Sequence, residues 1–252
     1  MEEAGVALTE TYGHDFCQRQ SAASFRAALL ILPYVVEAAG APRTVLDVGC
    51  GVGSWLRAFQ DQIPDIEILG IDHPDIPPDL LMIPRDNFVG MDLREEIDLG
   101  SRFDLIMSTE VAEHIDGKYA RVFINNLTRH SDIILFSAAI PGQRGRGHVN
   151  LRWPSFWIEL FAQQGFLCND FIRPKIWDNV EIPFWYRQNT MLFTRARLTL
   201  SGEHRSFEGA NLVHPDLLTR LTQRQVGHRQ IGGRKTLHAL KKAILRRLAL
   251  AR

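Results

Sequence analysis

Three glycines at alternate positions, Gly49, Gly51 and Gly53, directly follow an apolar run that contains Asp47. Because glycine has no Cβ, such a loop can adopt tight-turn backbone angles and let a ligand approach its peptide groups closely. A second carboxylate, Asp72, ends the next apolar run. A carboxylate can accept hydrogen bonds from two neighbouring hydroxyl groups, so the pair of features predicts a site for a ribose-bearing cofactor.

Acidic and imidazole side chains recur at Glu110, Glu113 and His114, and again at His148 near Asn150. Imidazole is the side chain whose ordinary pKa best suits a general base near neutral pH. We expect His148, and after it His114, to remove a proton from a substrate hydroxyl, with Asn150 orienting the acceptor. The glycine-rich stretch 138–152 could fold over a substrate, which favours His148.

These residues fall at the ends of elements in an alternating strand and helix pattern. Strands are predicted near 44–48, 66–71, 88–89, 103–107, 133–136, 167–172 and 190–194, and helices near 21–40, 54–62, 116–128 and 154–164. Such alternation predicts an α/β fold, a Rossmann-like, mostly parallel seven-stranded sheet with helices on both faces. Ligands bind such sheets at the carboxyl ends of the strands, so we expect the polar residues to gather at that edge.

The glycine spacing separates two cofactor classes. A dinucleotide fingerprint would place a third glycine where Ser54 stands, and NAD could bind only through a shifted version of it. The run from Asp47 to Gly53 instead resembles the first motif of class I S-adenosylmethionine-dependent methyltransferases. The segment 91–93 resembles that superfamily's adenine-contacting segment, and 103–110 resembles its fourth motif, under the methionine part.

This resemblance covers about residues 40–195 and implies S-adenosylmethionine as the cofactor. The positions that we assign to the cofactor on this basis are Asp47, Gly49, Cys50, Gly51, Gly53, Asp72, His73, Asp92, Leu93, Ser108 and Glu110.

The acceptor side resembles a branch of small-molecule methyltransferases associated with glycan and secondary-metabolite pathways. The resemblance rests on the stretch 147–150, the Trp-rich segment 153–161 and the stretch 184–189. It implies O-methylation of a small hydroxylated acceptor, such as a sugar, a glycan or a secondary metabolite. Asn150, Trp153 and Tyr186 are the candidate acceptor contacts.

Two other functions stay open. Glu110, Glu113, His114 and His148 together resemble the metal cluster of small-RNA 2′-O-methyltransferases, although the rest of that family's pattern after the distal histidine is not obvious here. Two carboxylates and two imidazoles suit a divalent cation, which would make the chain a metal-assisted RNA methyltransferase. We favour the metal-free interpretation, in which nucleic acid is not a partner. The third reading is a non-catalytic, cofactor-binding partner protein.

Charge is distributed unevenly along the 252 residues. Residues 1–216 hold all 29 acidic and 19 of the 29 basic side chains, whereas 217–252 hold ten Lys and Arg residues and no acid. From Thr236 onward, apolar residues recur every three to four positions with basic residues between them, which predicts a basic amphipathic helix. That helix could dock on the acidic part of the chain, lie on an anionic membrane surface or contact nucleic acid.

We divide the chain into an N-terminal helical segment, 1–40, a Rossmann-like methyltransferase domain, 41–200, and a C-terminal extension, 201–252. No uninterrupted apolar run reaches the roughly 18 residues of a membrane span. Three widely spaced cysteines, Cys17, Cys50 and Cys168, favour reduced thiols over a disulfide framework. We therefore expect a cytoplasmic protein, with peripheral membrane contact through the tail as a variant. Nothing in the sequence indicates an oligomeric state.

Overall fold

Seven strands form one sheet in the order β3-β2-β1-β4-β5-β7-β6. The computed structural model describes residues 14–196 and 210–223. All strands run parallel except β7, which is antiparallel to both of its neighbours. The predicted α/β class and mostly parallel sheet are thus confirmed. The strands are β1 Thr44–Val48, β2 Glu67–Asp72, β3 Phe88–Gly90, β4 Leu105–Thr109, β5 Ile133–Ser137, β6 Leu167–Asn169 and β7 Met191–Thr194.

Helices cover both faces of this sheet, as predicted. The first two helices and the fifth pack in one apolar cluster, and the third and fourth pack in another on the opposite face. Short 3-10 turns span Pro78–Leu80, Arg85–Asn87, Ala112–His114 and Gly117–Tyr119. The α-helices of this part of the chain are α1 His14–Ala39, α2 Ser54–Gln62, α3 Ala120–His130, α4 Pro154–Gln163, α5 Ile172–Ile176 and α6 Phe184–Asn189.

Helix α1 continues through Pro33. Proline has no N–H to donate, so the carbonyl of Leu29 loses its partner within the helix. The side-chain amide of Gln62, the last residue of α2, donates to that carbonyl at 2.8 Å. The two helices are therefore joined at the point where the proline interrupts the hydrogen-bond ladder.

By length and composition alone, Gln20–Ala39 within α1 could cross a membrane. In this structure its Ala27, Ile31 and Val35 are fully buried in the apolar cluster shared with α2. One face of the segment therefore packs in the core, and 33% of its length is buried. The helix begins before the predicted start near residue 21, so Ser21 lies inside it.

The reversed direction of β7 determines which helix lies at the edge where the parallel strands have their carboxyl ends. Met191, the first residue of β7, pairs with Phe136 near the carboxyl end of β5. Helix α6 immediately precedes β7, so α6 lies at the same edge as the loops that follow β1, β4 and β5.

Two details of the predicted elements were wrong. The strand expected over 167–172 ends at Asn169, and Ile172–Ile176 is helical. Asp170 and Arg173 form a bidentate ion pair across this turn at 2.6 and 2.7 Å, which stabilises the bend. The stretch Phe184–Asn189, which we did not assign to an element, is a helix.

The chain divides into two compact units, residues 1–212 and 213–252. Within the second unit the described residues, 213–223, include a helix over 215–223. The basic amphipathic helix predicted from Thr236 onward lies outside the described residues.

Candidate active site

The loop after β1 turns under the end of β2. The N–H groups of Gly49 and Cys50 both donate to the Ile71 carbonyl, at 2.8 and 3.2 Å. A Cβ on Gly49 would lie 2.4 Å from a methyl group of Val111, so packing excludes any side chain there. Gly51 has φ +54°, and nothing lies within 4 Å of the position that its Cβ would take. The loop therefore leaves an open cradle at Gly51, where a ligand could approach the backbone.

The contact between Gly49 and Val111 gives a test of the loop's packing. Gly40 has nearly the same φ, +82° against +85°, but open space around its Cβ position. We expect Gly49→Ala to lower the free energy of unfolding by about 1–3 kcal/mol more than Gly40→Ala, the usual cost of overpacking. Urea denaturation of the two variants measures this difference. Equal losses would show that backbone conformation alone requires the glycine.

Two carboxylates flank the cradle. Asp72 accepts the Gly51 N–H at 2.7 Å through Oδ2 and the His73 N–H at 2.6 Å through Oδ1. Burial raises the pKa of Asp72, and burial followed by the charge of Asp72 raises the pKa of Asp47 well above its usual range. Because a carboxylate has about four acceptor positions, Asp72 can hold the loop and still accept hydrogen bonds from a ligand.

Cys50 contributes to the loop through its backbone only. Its Sγ is turned into the core, where a Cβ on Gly70 would lie 2.7 Å from it. Burial, and then the charges of Asp47 and Asp72, raise the pKa of the Cys50 thiol well above its usual value. The cofactor contact predicted for Cys50 is therefore restricted to its peptide groups. Cys50 and Cys168 are both buried thiols.

The predicted adenine-side residues lie beyond the end of β3. The Asp92 carboxylate pairs with the Arg94 guanidinium at 2.6–3.1 Å, which lowers the pKa of Asp92. Leu93 is half-buried against the apolar cluster of α3 and α4. His73 is 47% exposed, with its Nδ1 accepting the Asp75 N–H. The exocyclic amine of an adenine would thus contact an Asp92 carboxylate that already pairs with Arg94.

The end of β4 holds a strained glutamate. Ser108 is fully buried, and its Oγ has no hydrogen-bond partner among the described residues. Glu110 has φ +56°, a left-handed conformation that non-glycine residues rarely adopt. Its carboxylate accepts from Gln143 Nε2 at 2.8 Å and from Asn189 Nδ2 at 3.0 Å. These two amides fix the carboxylate in place.

Gln143 is the centre of this buried network, and the sequence analysis missed it. Its Oε1 accepts from Gln188 Nε2 at 3.2 Å and from Asn189 Nδ2 at 3.0 Å. Its backbone carbonyl accepts from His148 Nδ1 at 3.0 Å. One residue therefore connects Glu110, helix α6 and the loop that carries His148. A glutamine within the glycine-rich loop was the only signal available in the sequence.

Glu113, His114 and His148 come together at the same edge. Each offers a ligand atom, and these atoms all lie within 4.8 Å of one another. The two imidazole rings meet edge to face with centroids 4.8 Å apart. Desolvation lowers the pKa of both histidines, and the neighbouring His148 lowers that of His114 further. Both rings are therefore neutral near pH 7.

Asn150 fastens the loop to the turn that carries Glu113. The N–H groups of Val149 and Asn150 donate to the Glu113 carbonyl at 2.9 and 3.0 Å. The Asn150 amide donates to the Ala112 carbonyl at 3.4 Å and accepts from Arg152 Nε at 2.9 Å. With its side chain buried and bonded at both ends, Asn150 positions the loop. The structure does not show it presented to an acceptor.

The other two predicted acceptor contacts differ in exposure. Trp153 is 39% exposed at the start of α4. Tyr186 is buried, with its hydroxyl 3.1 Å from Ser24 Oγ and accepting from Trp55 Nε1 at 3.5 Å. Burial raises the pKa of Tyr186 to about 12. Tyr186 thus ties α6 to α1 and α2, and its hydroxyl is neutral.

Residues 18–137 match the family model of a methyltransferase domain. No curated protein sequence matches the chain significantly. Among solved structures, the chain is similar to human N-acetylserotonin methyltransferase in complex with S-adenosylmethionine, with a TM-score of 0.54, 15% identity, and coverage of 78% of this chain and 61% of that one. A protein of Nostoc punctiforme classed as an O-methyltransferase gives a TM-score of 0.55, 15% identity, and coverage of 76% and 64%.

The plantazolicin methyltransferase BpumL, solved with S-adenosylhomocysteine and a pentazolic desmethyl analogue of plantazolicin, gives a TM-score of 0.50, 15% identity, and coverage of 76% and 95%. At these identities the likenesses show a shared fold. The chain spans under two thirds of the length of the human and Nostoc proteins.

Proposed function

We propose that this chain, which carries a methyltransferase domain with the class I fold, transfers a methyl group from S-adenosylmethionine to a hydroxyl group of a small acceptor. The observation that carries the proposal is the open cradle at Gly51 beside Asp72, with the imidazoles of His114 and His148 at the same sheet edge. Sugars, glycans and secondary metabolites are the acceptor classes that we favour. The similar methyltransferases of N-acetylserotonin and plantazolicin support a small molecule.

The described residues fit this cofactor. The absence of a Cβ at Gly51 leaves room for the nucleoside, and Asp72 would accept hydrogen bonds from its ribose hydroxyls. Asp47, buried at the end of β1, would face the amino group of the methionine part through the loop backbone or a water molecule. Bound S-adenosylmethionine would supply an electrophilic methyl group.

The acceptor side must hold a hydroxyl group in line with that methyl group and remove its proton. Positioning supplies most of the rate in such a displacement. The Nδ1–H of His148 donates a hydrogen bond to the Gln143 carbonyl, which leaves the lone pair on Nε2 to accept a proton. His114 touches the same ring and is the second candidate. The half-exposed Trp153 could supply an aromatic surface for the acceptor.

Replacing Asp72 tests the part of the proposal that concerns cofactor binding. We expect Asp72→Ala to weaken S-adenosylhomocysteine binding by about 1–3 kcal/mol, about 5- to 150-fold, because charged hydrogen bonds to the ligand are lost. Isothermal titration calorimetry measures this affinity. The control is Asp61→Ala, which removes only the surface ion pair with Arg57. Unchanged affinity in Asp72→Ala would place the ribose elsewhere, and no affinity in the unaltered protein would refute the function.

A further inference from the structure

Arg152 is an exposed arginine whose guanidinium is held in one position. Its Nε donates to Asn150 Oδ1 at 2.9 Å, and its Cζ lies 5.0 Å from the centre of the Phe156 ring. Asn150 is only 3% exposed, and its amide nitrogen donates to the Ala112 carbonyl at 3.4 Å. An exposed arginine ordinarily keeps most of its rotamer freedom. Here a buried amide and an aromatic ring restrict that freedom.

Gly117 leaves the space that this arrangement needs. A Cβ at position 117 would lie 3.1 Å from Asn150 Oδ1 and 3.2 Å from Arg152 Nη2. The backbone of the 3-10 turn Gly117–Tyr119 therefore lies directly against the guanidinium. A larger residue would crowd the hydrogen bond between Asn150 and Arg152.

The fixed guanidinium has unused donors. Arginine presents several N–H groups in a planar fork, and among the described residues only the Nε–H of Arg152 is bonded. Lys118 is also exposed and makes no ion pair in this part of the chain, and its Nζ lies 4.8 Å from the centre of the Tyr119 ring. The acid in the same turn, Asp116, accepts the Lys118 N–H at 3.0 Å. Two cations therefore lie side by side with donors available to a ligand.

The loop that carries Arg152 is positively charged. Residues 133–158 contain no aspartate or glutamate, and they contain three arginines, Arg144, Arg146 and Arg152. His148 belongs to the same loop, which the Val149 and Asn150 N–H groups bind to the Glu113 carbonyl. The two cations and the candidate base are thus fixed to the same connection between β4 and α3. Arg152 and Lys118 therefore lie on the acceptor side of the site.

We propose that the acceptor carries a phosphate group, which Arg152 and Lys118 bind while the acceptor hydroxyl faces His148. The inference rests on the proposed function and specifies its substrate class. The guanidinium fork matches the oxygen atoms of a phosphate, and a second cation suits a group with nearly two negative charges. Binding the phosphate at a fixed place would position the hydroxyl for the in-line displacement.

Inorganic phosphate is the probe for this site. The Nε–H signal of Arg152, identified by its loss in Arg152→Met, and the indole N–H signal of the neighbouring Trp153 are followed by heteronuclear NMR. The protein is titrated with phosphate, with acetate and with chloride at matched ionic strength. We expect a saturable shift of both signals with phosphate alone, because a fixed guanidinium and a second cation favour the more highly charged anion.

Arg152→Met should weaken phosphate binding at least about tenfold, as read from the Trp153 signal, because charged hydrogen bonds are lost. The matched control is Arg121→Met. Arg121 is likewise an exposed arginine bonded to an amide oxygen, that of Gln163 at 2.6 Å, but Gln163 is itself exposed. This control should bind phosphate as tightly as the unaltered protein does.

The same samples are titrated with S-adenosylhomocysteine, and circular dichroism checks their folding. No shift with phosphate in the folded unaltered protein, an equal response to acetate, or unchanged affinity in Arg152→Met would overturn the phosphate site. Intact S-adenosylhomocysteine binding in that case would leave the proposed function standing. Absence of S-adenosylhomocysteine binding with phosphate binding retained would instead refute the proposed function.

Paired acceptors connect the site to the reaction. Transfer of labelled methyl groups is measured on sugars and glycans, each with and without a phosphate group. We expect kcat/KM to be at least about tenfold higher for the phosphorylated member, and Arg152→Met to remove this preference through a higher KM, because Arg152 binds the acceptor away from the reacting atoms. Equal activity on both members, or a preference that persists in Arg152→Met, would overturn the assignment of the phosphate to the acceptor.

Discussion

Methyl transfer by His148→Ala is expected to be about 10²–10⁴-fold slower than by the unaltered protein, the usual contribution of a positioned acid–base group. S-adenosylhomocysteine should bind both proteins equally, because the hydrogen bond that orients His148 runs to Gln143 and none runs to Gly51 or Asp72. The measurement is transfer of labelled methyl groups to a panel of sugars, glycans, lipids and RNA. Activity is expected on a small hydroxylated acceptor.

Val149→Ala is the matched control, since this neighbour in the same loop is 66% exposed. It should retain nearly full activity. Undiminished turnover in His148→Ala would exclude His148 as the base that activates the acceptor. An equal loss in Val149→Ala would assign the effect to the shape of the loop.

Arg173→Met is expected to lower the free energy of unfolding by about 3–5 kcal/mol, because it removes the guanidinium that pairs with the buried Asp170 carboxylate. The side chains of Arg173 and Asp170 are each 1% exposed, with two hydrogen bonds of 2.6 and 2.7 Å between them. The guanidinium also donates to the carbonyls of Gln188 and Ala210 at 3.2 and 3.0 Å. Urea denaturation followed by circular dichroism gives the difference.

Two further variants test whether the loss of stability in Arg173→Met comes from the buried ion pair. Arg195→Met disrupts an ion pair with Asp132 that is about half exposed, and exposed pairs contribute only about 0–1 kcal/mol. The double variant Asp170→Leu with Arg173→Met should regain part of the lost stability, since neither charge is then left buried alone. If Arg173→Met lowers the free energy of unfolding no more than Arg195→Met does, the buried ion pair of Arg173 does not stabilise the fold as expected.

Most of the fold could be predicted because its signals are local. The apolar runs that form β1 and β5, and the glycines between β1 and α2, each lie within a few consecutive residues. The positions of Gly51 and Asp72 could also be predicted from local sequence, because Gly51 closely follows β1 and Asp72 ends β2. Pairing them required only that neighbouring parallel strands end at one edge.

The amide network could not be predicted, because it depends on the order and direction of strands far apart in the chain. Asn189 reaches Glu110 across 79 residues, and only because β7 runs antiparallel to β5. The sequence gives no reason to prefer that direction. Similarly, the role of Gln143 depends on partners from three separate segments. The burial of Ser108 depends on which face of β4 each residue occupies.

The reversal of β7 also separates two tasks between the halves of the sheet. Strands β1 and β2 end at the open cradle of Gly51, whereas the loop after β5 and helix α6 meet beside Glu110. If β7 ran parallel to β5, α6 would lie at the opposite edge of the sheet, away from Glu110, and could not line the proposed acceptor site. Residues 138–152 and 170–190 could therefore be exchanged for those of a relative, to redirect substrate choice while the donor-binding half is retained.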